Sequence, residues 1–144
     1  EKEGEHLFLD LNEKLDGIEK MVCDVEKRSP EMMEEYRSRI TEKVEELLGD
    51  KNIDERVLAT ELTIYADKVC VDEETVRLHS HIKNMRDTLK LGDNIGRKLD
   101  FIAQEMNRES NTILSKANDR ALSNIAIDLK TEIEKVREQI QNIE

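Results

Sequence analysis

The sequence predicts an all-α fold: an elongated domain of long antiparallel helices, partly of coiled-coil character. Three observations predict it. Charged residues make up 40% of the chain and aromatics 3%, a balance that suits long solvated helices and leaves little for a sheet core. Apolar residues recur three and four apart along most of the chain, and no segment alternates with a period of two. One proline and five glycines punctuate 144 residues, so breaks are few and helices long.

Each element has its own signal. A first helix is expected over 7–27, where Leu11, Leu15, Ile18, Val22 and Val25 repeat in a 4-3-4-3 heptad seam. Ser29-Pro30 reads as an N-cap followed by proline at the first helical position, opening a second helix over 30–48. Its inward residues are Met33, Tyr36, Ile40, Val44 and Leu47, and Gly49 stops it before a loop at Asp50–Asn52. Asp54 caps a third helix over 54–69. Asp72 caps a fourth over 73–91, with Thr75, Leu78, Ile82, Met85 and Leu89 inward and Gly92 at its end. A fifth helix covers 94–117, and Asn118-Asp119 breaks it. The last, over 119–143, carries Leu122, Leu129, Val136 and Ile143 seven apart, interleaved with Ala126, Ile133 and Ile140. Three heptads imply packing along its whole length, within the chain or across a dimer, and a homo-oligomer is the expectation.

At this length the expectation is a single domain, residues 1–144, with 1–50 as a helical arm or hairpin and 54–144 as the region carrying the chemistry. No run of eighteen apolar residues exists, so no membrane partner is expected. The chain opens at Glu1 inside a charged run, which suggests the carboxy-terminal part of a longer protein with a preceding domain. Cys23 and Cys70 lack metal-type spacing and read as two reduced, partly buried thiols of a cytoplasmic protein. The net charge of −11 argues against simple nucleic-acid coating, but it is uneven. Residues 1–76 carry 11 basic and 23 acidic groups, 77–120 carry 9 and 6, and 121–144 carry 3 and 5. The only positive segment therefore lies in the middle.

That segment contains Gly96–Lys116, GRKLDFIAQEMNRESNTILSK. On a helical wheel Leu99, Ile102, Met106 and Ile113 form an apolar stripe. Glu105, Arg108, Glu109, Thr112 and Lys116 form a second stripe, and Asp100, Gln104, Asn107 and Asn111 a third. Carboxylates, amides and guanidinium groups on one helix are what a metal or phosphate site needs. Glu105 and Glu109, one turn apart, can hold one hard cation, and a carboxylate/imidazole set suits Mn or Mg. The bland alternative is a solvated Glu105–Arg108–Glu109 ladder. In the preceding helix His79 and His81 point about 200° apart and cannot share an ion. His81 is the better candidate, because it lines one half-buried edge with Glu74 and Arg77. Glu61, between Leu58, Leu62 and Tyr65, is expected to be buried and therefore paired or metal-bound. Arg77, Arg97, Lys98, Arg108 and Lys116 are the phosphate-contact candidates; ordinary salt-bridge partners are the alternative. With Phe8, Tyr36, Tyr65 and Phe101 as its aromatics, the sequence argues against a base-stacking platform, and recognition should be of backbone and shape.

The Gly96–Lys116 segment resembles the C-terminal signature of the bacterial YicC/YloC family, GRKLDFxxQEMNRExNTIxSK. The opening EKEGEHL at Glu1–Leu7, ELTIYADKVCVDEETVRLHSHI at Glu61–Ile82, with its RLxSH motif, and the ending VREQIQNIE at Val136–Glu144 are also similar to it. Leu114, where the family has Gly, and Met85, where it has Phe, depart from the pattern. The resemblance implies a metal-dependent endoribonuclease, a family first labelled stress-induced, using Mn or Mg against an RNA phosphodiester. On that basis His81, Glu105 and Glu109 are the expected ligands or general base. Glu74 and Glu61 are alternative or supporting ligands. Arg77, Arg97, Lys98, Arg108 and Lys116 would hold phosphates, and Asp100, Gln104, Asn107 and Asn111 would orient the ligands. The alternative is a non-catalytic helical oligomerisation or interaction module. Polar stripes facing solvent favour the site, and stripes paired off between helices favour structure.

Overall fold

The computed structural model describes residues 2–49 and 54–142, with side chains from residue 5 onward. It contains five helices: α1 (Lys2–Leu48), α2 (Glu55–Val69), α3 (Asp72–Leu89), α4 (Gly96–Lys116) and α5 (Arg120–Gln141). Among the described residues there is no strand. The expected loop at Asp50–Asn52 and the heptad position Ile143 lie outside the described residues.

The first and second expected helices are one. α1 runs without interruption through Pro30 for 47 residues, about 70 Å at 1.5 Å per residue. Pro30 lacks the N–H that would bond the Glu26 carbonyl, and its ring crowds that carbonyl. The helix survives because packing holds it on both sides. Val25 and Met32 are buried, while Pro30 points outward. Ser29 Oγ donates to the Val25 carbonyl at 3.1 Å. Arg28 donates to both carboxylate oxygens of Asp119, from Nε at 2.9 Å and Nη2 at 2.8 Å, and also to Glu35. A local start signal therefore loses to tertiary contacts.

The seam Leu11, Leu15, Ile18, Val22, Val25 is fully buried and extends to Met32. It packs on α3 and α5, and α4 packs on those same two helices, so the four close a ring. Ion pairs and hydrogen bonds set an up-down-up-down order. α1 runs against α5 through Arg28–Asp119 and Asp10–Gln139, and against α3 through Arg86 with Asp16 and Glu19. α4 runs against α5 through Arg137–Asp100 at 3.1 Å. Leu122, Ala126, Leu129, Ile133, Val136 and Ile140 of α5 are all spent inside this ring, each at 1% exposure or less. The heptads expected to reach a second copy are thus satisfied within one chain.

Beyond Met32, α1 leaves the bundle as an arm. Tyr36 stacks on Tyr65 of α2 with ring centroids 3.7 Å apart, but Leu47, expected inward, is 76% exposed. Side-chain caps open α2 and α5. Asp54 accepts from Arg56 N at 3.0 Å, and Asp119 accepts from Leu122 N at 2.9 Å. Asp72, expected as a cap, is instead the first residue of α3. The N-cap is Val71, without a side-chain bond. Gly92, at φ +84°, reverses the chain between α3 and α4.

Two outcomes follow. Pro30→Ala restores the missing helical hydrogen bond, and denaturant unfolding should show a gain of about 1–3 kcal/mol. No gain would mean that Pro30 starts a separate helix in solution. Asp119→Ala should cost about 1–2 kcal/mol from the cap alone. Arg28, then the Leu122 N–H, hold the Asp119 carboxyl below its ordinary value. Its contribution is therefore present above the ordinary carboxylate range and lost as pH falls through the lower folded value. The difference between native chain and variant should shrink in acid on thermal melts.

Candidate functional site

The α3–α4 hairpin turns within a few residues around Gly92, so residues equidistant from that turn face one another. Two carboxylates lie on this seam, Glu74 at 2% and Glu109 at 6% exposure. Burying a charge is costly unless it is paired, and each has a cation from the opposite helix. Arg77 Nε donates to both oxygens of Glu109 at 2.9 Å. Lys116 Nζ donates to Glu74 Oε1 at 2.8 Å and to the Cys70 carbonyl at 3.1 Å. Arg77 also reaches Glu73 at 3.4 Å and lies 4.0 Å from Glu74 Oε1. The bond to Glu109 raises the Arg77 guanidinium above its ordinary value, and the bond to Glu74 does the same for the Lys116 ammonium. Glu74 Oε2 is buried and has no protein partner among the described residues.

The same register places His81 level with Glu105, one turn from the Arg77–Glu109 pair. Both are half-buried, and neither hydrogen-bonds a side chain among the described residues. The hairpin thus unites Glu74, Arg77, Glu109 and Lys116 by contact, and His81 and Glu105 by level. Among the described residues the ligand atoms of Glu74, His81, Glu105 and Glu109 do not converge into a three-donor cluster: both oxygens of Glu109 are taken by Arg77, and Lys116 takes one of Glu74, which leaves Glu74 Oε2 as the open donor.

The outer face of α4 is a shallow polar groove of about 420 Å³, lined by Gln104, Asn107, Arg108, Asn111, Thr112, Ser115 and Lys116. Gln104, Arg108 and Asn111 are exposed. Asn107 is half-buried, with its Oδ1 unpartnered among the described residues. Lys116 belongs to both groove and seam. Gln104, Arg108 and Asn111 thus face solvent, while Glu109, Lys116 and Asp100 are paired off between helices.

Other expected members fall elsewhere. Asp100 is engaged structurally, accepting from Gln104 at 3.0 Å and from Arg137. Arg97 and Lys98 are exposed at the far end of α4, about 28 Å along the helix from Lys116. Glu61, expected to be buried, is exposed on α2: α1 covers the face at Tyr65 and Val69 but leaves Glu61, one turn earlier, open to solvent. Cys23 and Cys70, expected to be partly buried, are free and exposed. Sequence reasoning passed over Glu73. Its signal was the i, i+4 spacing to Arg77. It also set His79 aside. His79 Nε2 lies 2.8 Å from Glu26 Oε1 and its Nδ1 lies 3.6 Å from Glu19 Oε2, across the α1–α3 interface.

Comparison with known proteins bears on this geometry. The family model for the C-terminal part of YicC-like endoribonucleases matches residues 25–144. A relative named "Probable endoribonuclease YicC" from Clostridioides difficile (strain 630) is 46% identical over 144 residues, covering 99% of this chain and 49% of the relative. Another of the same name, from Haemophilus influenzae (strain ATCC 51907 / DSM 11121 / KW20 / Rd), is 38% identical over 143 residues, covering 99% and 49%. The chain spans about half the length of these curated relatives. Among the described residues, no helix is long and apolar enough to cross a membrane.

The Arg77–Glu109 pair makes a separable prediction. Arg77→Ala strips the cation from a buried carboxylate, so the thermal midpoint should fall. Adding Glu109→Gln should recover part of the loss. A double variant no more stable than Arg77→Ala would show that the pair is not what couples α3 to α4.

Proposed function

The chain belongs to the YicC-like C-terminal endoribonuclease family, and from that membership we propose that it is part of a metal-dependent endoribonuclease cleaving RNA phosphodiesters. One observation supports the reading: two buried carboxylates, one with an oxygen unpartnered among the described residues, a level imidazole and a polar groove lie along one hairpin. His81, Glu105 and Glu109, with Glu74 adjoining, are the residues that would hold Mn²⁺ or Mg²⁺. Glu61, exposed on α2, is a more distant candidate. When bound, the ion would supply Lewis-acid activation of water and of the phosphoryl oxygen.

The protein's own groups then have distinct tasks. Arg108 and Lys116 bind phosphate oxygens along the α4 groove, and Arg97 and Lys98 extend the track toward the start of the helix. Gln104, Asn107 and Asn111 hydrogen-bond the backbone without reading bases. Arg77 holds Glu109 in place from the opposite helix, and Asp100 fixes α4 against α5. Half-buried His81 is either a ligand of the ion or the general base that takes a proton from the attacking water. The preceding half of the relatives' length would complete the substrate channel. A homo-oligomer is supported by the arm, where Leu47, Leu48, Val57 and Ile64 are all at least half exposed. The free, exposed thiols suit a cytoplasmic location.

A non-catalytic interaction module is the second reading, favoured by the pairing of Glu109 and Glu74 with cations of the same chain. The test is RNA cleavage by the full-length protein with Mn²⁺, with Mg²⁺ and with chelator. His81→Ala and Glu105→Ala should abolish metal-dependent cleavage with helicity retained. Arg108→Ala should weaken binding across RNA sequences and lower the salt slope by about one. Cleavage indifferent to chelator would overturn the metal-dependent mechanism, and no cleavage under any condition would favour the interaction module.

A further inference from the structure

On the opposite side of α3 from the RNA-facing seam, Cys23, Glu26 and His79 converge. Sγ of Cys23, a carboxylate oxygen of Glu26 and a ring nitrogen of His79 all lie within 4.8 Å of one another. We propose that these three side chains bind a borderline transition metal, Zn²⁺ by chemical class, pinning α1 to α3. The site is independent of the proposed RNA-cleaving centre, since none of its residues is shared.

The donor set selects the class of ion. One thiolate, one imidazole and one carboxylate suit Zn²⁺ or Co²⁺, and the sulfur disfavours Mn²⁺ and Mg²⁺. Zn–S and Zn–N bonds of about 2.3 and 2.0 Å place tetrahedral donors about 3.5 Å apart, so side-chain rotation closes the cluster. Cys23 and Glu26 stand at i and i+3 on α1, which helix geometry presents side by side. His79 reaches them from α3 with Nε2 at 2.8 Å from Glu26.

A helix-to-helix polar contact would need only His79 and Glu26. The cysteine and a second carboxylate go further. Glu19 Oε2 lies 3.6 Å from His79 Nδ1, on the ring nitrogen away from the cluster. That is where metal-binding imidazoles are oriented by a carboxylate, which fixes the ring and raises its basicity. Arg86 in turn holds Glu19 at 3.3 Å. Without an ion, desolvation and then the charges of Glu26, Glu19 and Asp24 hold the Cys23 thiol above its ordinary value. The same negative charges attract a divalent cation. On binding, the thiol proton leaves to solvent and Cys23 becomes a thiolate ligand. All three ligands are reachable from solvent, and water completes the fourth position.

The test is Co²⁺ titration of the full 144-residue chain, followed by displacement with Zn²⁺. One Co²⁺ per chain should bind with a near-ultraviolet thiolate charge-transfer band. Zn²⁺ should erase the band, and Mn²⁺ should leave it. Cys23→Ser should abolish the band, and His79→Ala should weaken Zn²⁺ binding at least tenfold, on the order expected when a metal's immediate environment is cut. Glu19→Gln should keep the band and weaken binding about tenfold, as a positioning residue would. Zn²⁺ should raise the thermal midpoint of the native chain and not that of Cys23→Ser. Cys70→Ser and Glu105→Ala should leave the band unchanged, so loss of RNA cleavage and loss of this site are told apart. No band, or a band that survives Cys23→Ser in a chain of native helicity, would overturn the proposal.

Discussion

The buried seam from Leu11 to Met32 is the constraint on which the rest of the molecule depends. One face of one helix packs against both α3 and α5, and α4 fills the remaining side of the ring. Apolar burial at about 25 cal/mol per Å² supplies the drive, but it is non-directional. Direction comes from the polar contacts at the rim. The Arg28–Asp119 pair fixes α1 on α5 and lets the helix pass through a proline. Arg86 fixes α1 on α3. Once these registers are set, the two faces of α3 are committed to different neighbours: Glu74 and Arg77 look to α4, while His79 looks to α1.

The α3–α4 seam shows how burial organises charged side chains across two helices. A solvated ladder would leave Glu109 mobile and screened. Burial instead requires a partner from the other helix, and Arg77 meets both of its oxygens. Glu74 is only half satisfied: Lys116 takes one oxygen, and the other has no partner among the described residues. Two desolvated carboxylates and two cations in register make the hairpin rigid and electrostatically strong. The groove beside them is exposed and polar, which suits a phosphate backbone more than a base. The few aromatic residues lie away from it, except for exposed Phe101 on the same helix.

Much of this was legible beforehand because helical period fixes faces. The 4-3-4-3 seam of α1, the heptads of α5 and the inward set of α3 are all buried as their spacing requires. The antiparallel register that brings Glu74 and Arg77 to Glu109 and Lys116 follows from a short turn at Gly92. The failures share one cause. Ser29-Pro30 is a valid local start signal, yet packing of Val25, Arg28 and Met32 carries the helix across it. Glu61 sits on the apolar side of α2, yet α1 covers that side only at Tyr65 and Val69 and leaves Glu61 exposed. Asp72 has a capping side chain that the α3 terminus does not use. In each case local sequence states a preference, and only the presence or absence of a neighbouring element decides whether it is expressed.

By itself the sequence determined the helices, their inward faces, the polar stripes of α4 and the family, because each depends on spacing within one segment. Only the tertiary structure decided that α1 is continuous, that α5 spends its heptads inside one chain, that Glu74 keeps an open oxygen, and that Cys23, Glu26 and His79 meet. Residues 53 positions apart in sequence carry no local record of their contact. Which of two histidines two positions apart faces which helix is fixed by the ring of four helices, whose closure places α1 on one side of α3 and α4 on the other.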